Sequence, residues 1–156
     1  MVTKPDNIGI ANAIIDANRY LTLGTSDRDG TPWLTPLYYT PDRYADFYWI
    51  SSPDTAHSHN ISRRAEVSIV VFDSQAVIGT AQAVYARATA EQVQDAELAD
   101  AVQVAFTPRF PGVRSMTPDQ LTAPARFRLY RARITRRWIL DPETGSVDHR
   151  VEVPLS

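Results

Sequence analysis

With 156 residues, 44% of them hydrophobic, the chain is long enough to bury a core without a metal or disulfide to hold it. It has no cysteine, which removes disulfide frameworks, thiolate nucleophiles, iron–sulfur clusters and zinc–thiolate sites, so redox chemistry would need a borrowed cofactor. A net charge of −2 gives no global attraction to nucleic acid or an anionic membrane.

Asp6 can cap a helix within residues 1–19 whose apolar stripe is Ile8, Ala11, Ile14 and Ile15, ending near Asn18. From Tyr20 the period changes to two, and Asp29-Gly30 is a hairpin signal between residues 20–26 and a return strand over 32–40. A second turn at Pro41-Asp42-Arg43 leads into the aromatic strand 46–51, so three strands in succession read as a meander. Residues 66–73 are apolar on both faces, as a central strand is, and 79–88 form its partner. Thr89 and Gln92 resemble a capping box opening a helix to Phe106. Residues 107–124 hold Pro108, Pro111, Gly112, Pro118 and Pro124 and read as a Pro-rich loop, a candidate lid, with at most one short helix begun by Thr117-Pro118. One long strand or two over 126–140, a turn at 141–145 and an edge strand over 147–153 complete the chain. Short strands with sparse helices argue for a mainly β fold, an antiparallel barrel with peripheral helices. With no apolar stretch approaching the ~20 residues of a membrane span and no signal-peptide pattern, the expectation is a single cytoplasmic domain over residues 1–156.

The most informative chemistry lies in residues 51–73. A polar loop, Ser51-Ser52-Pro53-Asp54-Thr55, feeds a short helix bearing His57 and His59. A loop entering a helix N-terminus offers unpaired N–H groups, hydroxyls and here an imidazole, which together suit a phosphate monoester. Two histidines two apart point in different directions on a helix, so metal chelation is disfavoured. Ser58, His149 and an aspartate form a triad only on paper, and the pairs Asp27/Asp29 and Asp95/Glu97 read as solvated charge. The run Arg126, Arg128, Arg131, Arg133, Arg136, Arg137 with Phe127, Tyr130 and Trp138 resembles a nucleic-acid stripe, but alternation splits it between faces. Barrel rims or a subunit contact fit it better. Among Trp33, Tyr38, Tyr39, Phe47, Tyr48 and Trp49, some could line a slot for a planar ring.

Taken together, 20–39, 46–73 and 79–93 resemble the pyridoxamine 5′-phosphate oxidase-like family of flavin-binding split barrels. The resemblance implies a six-stranded antiparallel Greek-key split barrel and a homodimer with two sites at its interface. It implies FMN as cofactor, hydride transfer at the flavin N5 and a small-molecule substrate; the charge, the split arginine run and the lack of an apolar span argue for neither nucleic acid nor membrane as partner. Thr35, Pro36, Leu37 and Tyr38 would lie against the flavin, and Ser51 and Ser52 would bind its phosphate. Gln82 falls beside a cofactor-reaching glutamine of the family, and Trp138 and Arg150 echo a late tryptophan and arginine. His57 stands where many members have a phosphate-binding lysine, and Ala56 where the oxidases have an arginine. Phosphate affinity should therefore rest on a titratable imidazole and fall as pH rises through its pKa. The substrate-binding arginine and histidine of the vitamin B6 oxidases are not recognisable, which implies a general FMN oxidoreductase role. The alternatives are a reductase using the deazaflavin coenzyme, or a non-catalytic flavin- or haem-binding or degenerate relative.

Overall fold

A computed structural model describes residues 6–141 and 149–155. Among these are eight strands and three α-helices. Helix α1 (Asn7–Ala17) starts where Asp6 accepts a 3.0 Å hydrogen bond from the Gly9 amide. It buries Ala11 and Ile15, and the Asn18 side chain returns to the Ile14 carbonyl. Strand β1 (Tyr20–Ser26) turns through Asp27, which accepts from the Asp29 and Thr31 amides, into β2 (Pro32–Tyr38). Gly30 takes the positive φ, 87°, that this turn requires.

The remaining elements are β3 (Thr40–Asp42), β4 (Asp46–Ser51), α2 (Ala56–Arg63), β5 (Glu66–Phe72), β6 (Ala83–Gln92), α3 (Asp95–Ala105), β7 (Arg128–Leu140) and β8 (Arg150–Val153). They form one antiparallel sheet in the order β2-β1-β5-β6-β7-β4-β3, with β8 paired to β7. The sheet curls around a core that includes Leu21, Leu23, Tyr39, Phe47, Val71, Val84, Ala132 and Ile139. A second cluster packs α3 on the outside, where Leu98 and Val102 meet Tyr48, Leu121 and Leu129. None of the described helices is long and apolar enough to cross a membrane.

Several expectations change. The first strands are not a meander: β1 pairs with β2 and β3 with β4, but β2 and β3 end up at opposite edges of the sheet. The tight turn falls at Arg43 and Tyr44, both at positive φ, one step later than expected. Strand β5 is central but not apolar on both faces, for Ser68 is exposed and Phe72 is 45% exposed. The Thr89–Gln92 capping box does not form. Thr89 pairs with Glu66 on one side and Arg133 on the other, the ladder runs to Gln92, and α3 begins only after Gln94. A capping box does appear at Thr117, whose partner is Gln120, at a single 3₁₀ turn, Pro118–Leu121. The late arginine segment is one long strand, bulged where Arg87/Ala88 of β6 meet it. Two short strands, β3 and β8, bring the count above six. Residues 142–148, which hold most of the turn expected at 141–145 and the start of the edge strand expected at 147–153, lie outside the described residues.

Candidate cofactor site

Strand β4 ends at Ser51, and the next residues fold back on themselves before α2 begins. Thr55 caps the helix, accepting a 3.3 Å hydrogen bond from the Ser58 amide. Its hydroxyl also lies 3.1 Å from the Ser52 carbonyl and 2.8 Å from Ser58 Oγ. Ser58 in turn donates to the same Ser52 carbonyl at 2.9 Å. Ser52 Oγ accepts from the Asp54 amide. The side chain of His57 turns inward: Nε2 is 2.8 Å from Ser51 Oγ and 3.2 Å from Thr55 Oγ1, and the residue is 6% exposed. Burial pushes its imidazole below the usual histidine range, so at neutral pH it is an uncharged joint between β4 and α2.

The other expected residues divide by face. Alternation along β2 turns Thr35 and Leu37 toward the core, where Leu37 is buried, and leaves Pro36 exposed and Tyr38 half-buried. Tyr38, Thr40, Tyr48, Ile50, Phe106 and Leu129 border a cavity of about 150 Å³, with Val113 and Arg114 of the Pro-rich segment at its rim. Of the aromatic set, Tyr39, Phe47 and Trp49 are core, and Trp33 is 52% exposed at the sheet edge.

Gln82 and Trp138 lie elsewhere. Gln82 just precedes β6, whose Val84 pairs with Ile139, and its Oε1 is buried without a hydrogen-bond partner among the described residues. Trp138 lies under Arg136 at 4.9 Å and Arg87 at 5.9 Å, and Arg150 stacks on Tyr85 at 5.2 Å. Ser68, Tyr85, Arg87, Trp138 and Arg150 line a groove on the outer face of the sheet.

The arginine run divides between buried and exposed positions. Arg131 is 9% exposed and bonds to Glu91, with Glu97 at 3.4 Å. Arg137 is 1% exposed and donates to the Pro154 carbonyl and to Asn12 Oδ1. Arg133 and Arg136 pair with Asp46 and Glu152. Sequence reasoning also missed Arg109 in the Pro-rich segment. It donates to the carbonyls of Ile15, Asn18 and Tyr39 and lies 4.7 Å from the Tyr39 ring centre. The signal was available, because α1 has no basic residue in its last turn to meet its free carbonyls. Ser58 and His149 form no triad: Ser58 belongs to the α2 cap, and His149 pairs with Asp141 at 2.9 Å beyond the far end of β7. No group of three His, Asp or Glu among the described residues could hold a metal.

This curled sheet, open between its edge strands β2 and β3 and carrying α2 in a loop-to-helix joint, is that of an antiparallel split barrel. Residues 11–141 match the family described as pyridoxamine 5′-phosphate oxidase, and the chain belongs to that family. Among solved structures, it resembles a haem-binding protein from Mycobacterium smegmatis at 18% identity and TM-score 0.74. That match covers 99% of this chain and 60% of the other, so the chain spans about three fifths of its relative. A putative 5-nitroimidazole antibiotic resistance protein from Bacteroides thetaiotaomicron matches at 14% identity and TM-score 0.69, over 86% of this chain and 84% of that one. HutZ, a haem storage protein from Vibrio cholerae, matches at 16% identity and TM-score 0.59, over 82% and 89%. At these identities the likeness shows the fold. No curated protein matches the sequence.

The junction between β4 and α2 does not fit the phosphate of FMN. Residues 51–58 contain no lysine or arginine and do contain Asp54. The hydroxyls of Ser51, Thr55 and Ser58 are engaged within the junction, and the imidazole beside them is neutral.

Proposed function

We propose that the chain is an oxidoreductase subunit that works as a homodimer, holding a planar flavin-class ring between two copies, where a small molecule is oxidised or reduced. One observation carries this reading. Ser51 pairs with Arg128 at the start of β7, whereas Trp138, with Gln82 beside its end of the sheet, lies roughly 30 Å further along at the usual rise of a strand. The two groups of residues are too far apart to touch one flavin from a single chain. A second copy, related by a two-fold axis, could bring the Trp138 groove of one protomer against the Tyr38–Ile50 cavity of the other. Gln82 Oε1, buried and unmatched, would then meet a donor from the ligand or the partner.

The test is sedimentation of the purified protein together with its visible spectrum, the released chromophore being identified by mass. A yellow dimer with flavin bands supports the proposal. A monomer that takes up no flavin overturns it.

Haem binding is the second reading, and two relatives carry haem binding or haem storage in their names. The carboxylates of haem would suit Arg87 and Arg150, which stand at one groove beside Trp138 and Tyr85. A Soret band in place of flavin bands would establish it. Colourless protein that takes up the deazaflavin coenzyme would point to a reductase of that class.

A further inference from the structure

We infer that the β4–α2 junction of this chain is closed to phosphate, so that a phosphorylated cofactor gains no affinity there over its dephosphorylated form. The hydroxyls of the junction are already committed. Ser51 Oγ faces His57 Nε2 at 2.8 Å; Thr55 Oγ1 serves the Ser58 amide, Ser58 Oγ and the Ser52 carbonyl; Ser52 Oγ holds the Asp54 amide. A phosphate drawing on these hydroxyls would have to break several of these bonds to gain the same number, which leaves little net free energy.

Charge points the same way. The junction carries one carboxylate, Asp54, and the exposed Ala56 offers no counter-charge. Arg128, opposite Ser51 in the ladder, spends Nη1 on the carbonyls of Ala125 and Phe127. Binding an anion there would place it beside the Asp54 carboxylate, and the cation across the ladder, Arg128, has one of its guanidinium nitrogens already bonded to carbonyls. His57 and Thr55 have become the fastening of a helix where an anion cradle was expected.

The inference is tested with three probes: inorganic phosphate, FMN and riboflavin. Backbone amide resonances of residues 52–58 should stay in place as phosphate is added, and FMN and riboflavin should bind with affinities within about twofold of each other. An Ala56→Arg variant, altered at an exposed position, should acquire phosphate-dependent shifts and a preference for FMN of about tenfold, the worth of one hydrogen bond to a charged group. Saturable phosphate shifts in the unaltered protein, or a tenfold preference for FMN over riboflavin, would overturn the inference. The flavin arm rests on the proposed function and the phosphate arm does not. Failure of both flavins to bind while the amides stay silent would count against the flavin reading and support a closed junction.

Discussion

Asn60 of α2 donates a 2.9 Å hydrogen bond from its side chain to the hydroxyl of Thr25 in β1, across 35 positions of sequence. Both residues are buried, at 6% and 4% exposure. With His57 fastening the start of the same helix to β4, α2 is pinned at two points to strands that are not neighbours in the sheet. The helix therefore bridges the open side of the barrel.

Breaking that bond from one side should be costly. Asn60→Leu leaves the Thr25 hydroxyl buried and unpaired, and it is expected to destabilise the fold by about 1–3 kcal/mol. Combining it with Thr25→Val removes both partners, and the double variant should lose less than the two single losses added together. Urea unfolding of the four proteins measures the coupling.

His57 makes stability depend on pH. Burial depresses its pKa in the folded state, so the unfolded chain takes up the proton more readily. Its contribution is complete above the unfolded value of about 6.5 and is lost as pH falls through that value toward the lower folded one. Melting temperatures should decline over that window. A His57→Gln variant, which cannot titrate, should show a shallower decline even if its melting temperature is lower throughout.

Arg109 ties the Pro-rich segment to the C-terminal end of α1. Arg109→Ala should cost about 2 kcal/mol, since three carbonyls lose a charged donor on a half-exposed side chain. Arg109→Lys should recover only part of it, because an ammonium can neither fork between carbonyls nor stack flat on Tyr39. Hydrogen exchange in the last turn of α1 should rise in both variants, and more in the alanine one.

Arg137 is a buried cation whose described partners are a carbonyl and an amide oxygen, and burial lowers its pKa. Arg137→Ala should cost about 3–5 kcal/mol through the cavity and the stranded acceptors together. Arg137→Met, which keeps most of the volume and removes the charge, should recover a good part of that. Denaturation midpoints decide the order.

The elements that could be read from the sequence were those with a strong local pattern. The Asp6 cap, the Asp29-Gly30 turn, the aromatic strand 46–51 and the helix holding both histidines all rest on contacts within a few residues. Long-range choices were not available in the same way. Whether Thr89 starts a helix or stays in a strand depends on Glu66 and Arg133, its neighbours on either side. The pairing that separates β2 from β3 is set by the curl of the whole sheet. The site was legible as a place but not as chemistry. Residues 51–58 mark the joint, yet a histidine after a Ser-Thr loop looks the same in one dimension whether its ring faces an anion or, as here, the hydroxyl of Ser51. Alternation could split the arginines between faces, but not name the partners of the buried ones: the carbonyl of Pro154 and the carboxylate of Glu91 are brought beside Arg137 and Arg131 only by the fold.

The opening between β2 and β3 leaves β2 as a free edge carrying the exposed Trp33 and Leu34, a combination that invites a stray strand from another molecule to add on. Pro32 and Pro36 stand four apart in that strand, opposite Ser26 and Thr22 of β1, so both nitrogens lie on the same side. A proline has no N–H to offer and is tolerated where its nitrogen faces away from the ladder. The outer margin of β2 thus lacks two of the donors an added strand would need, and the barrel can stay open along this side without becoming a template for aggregation.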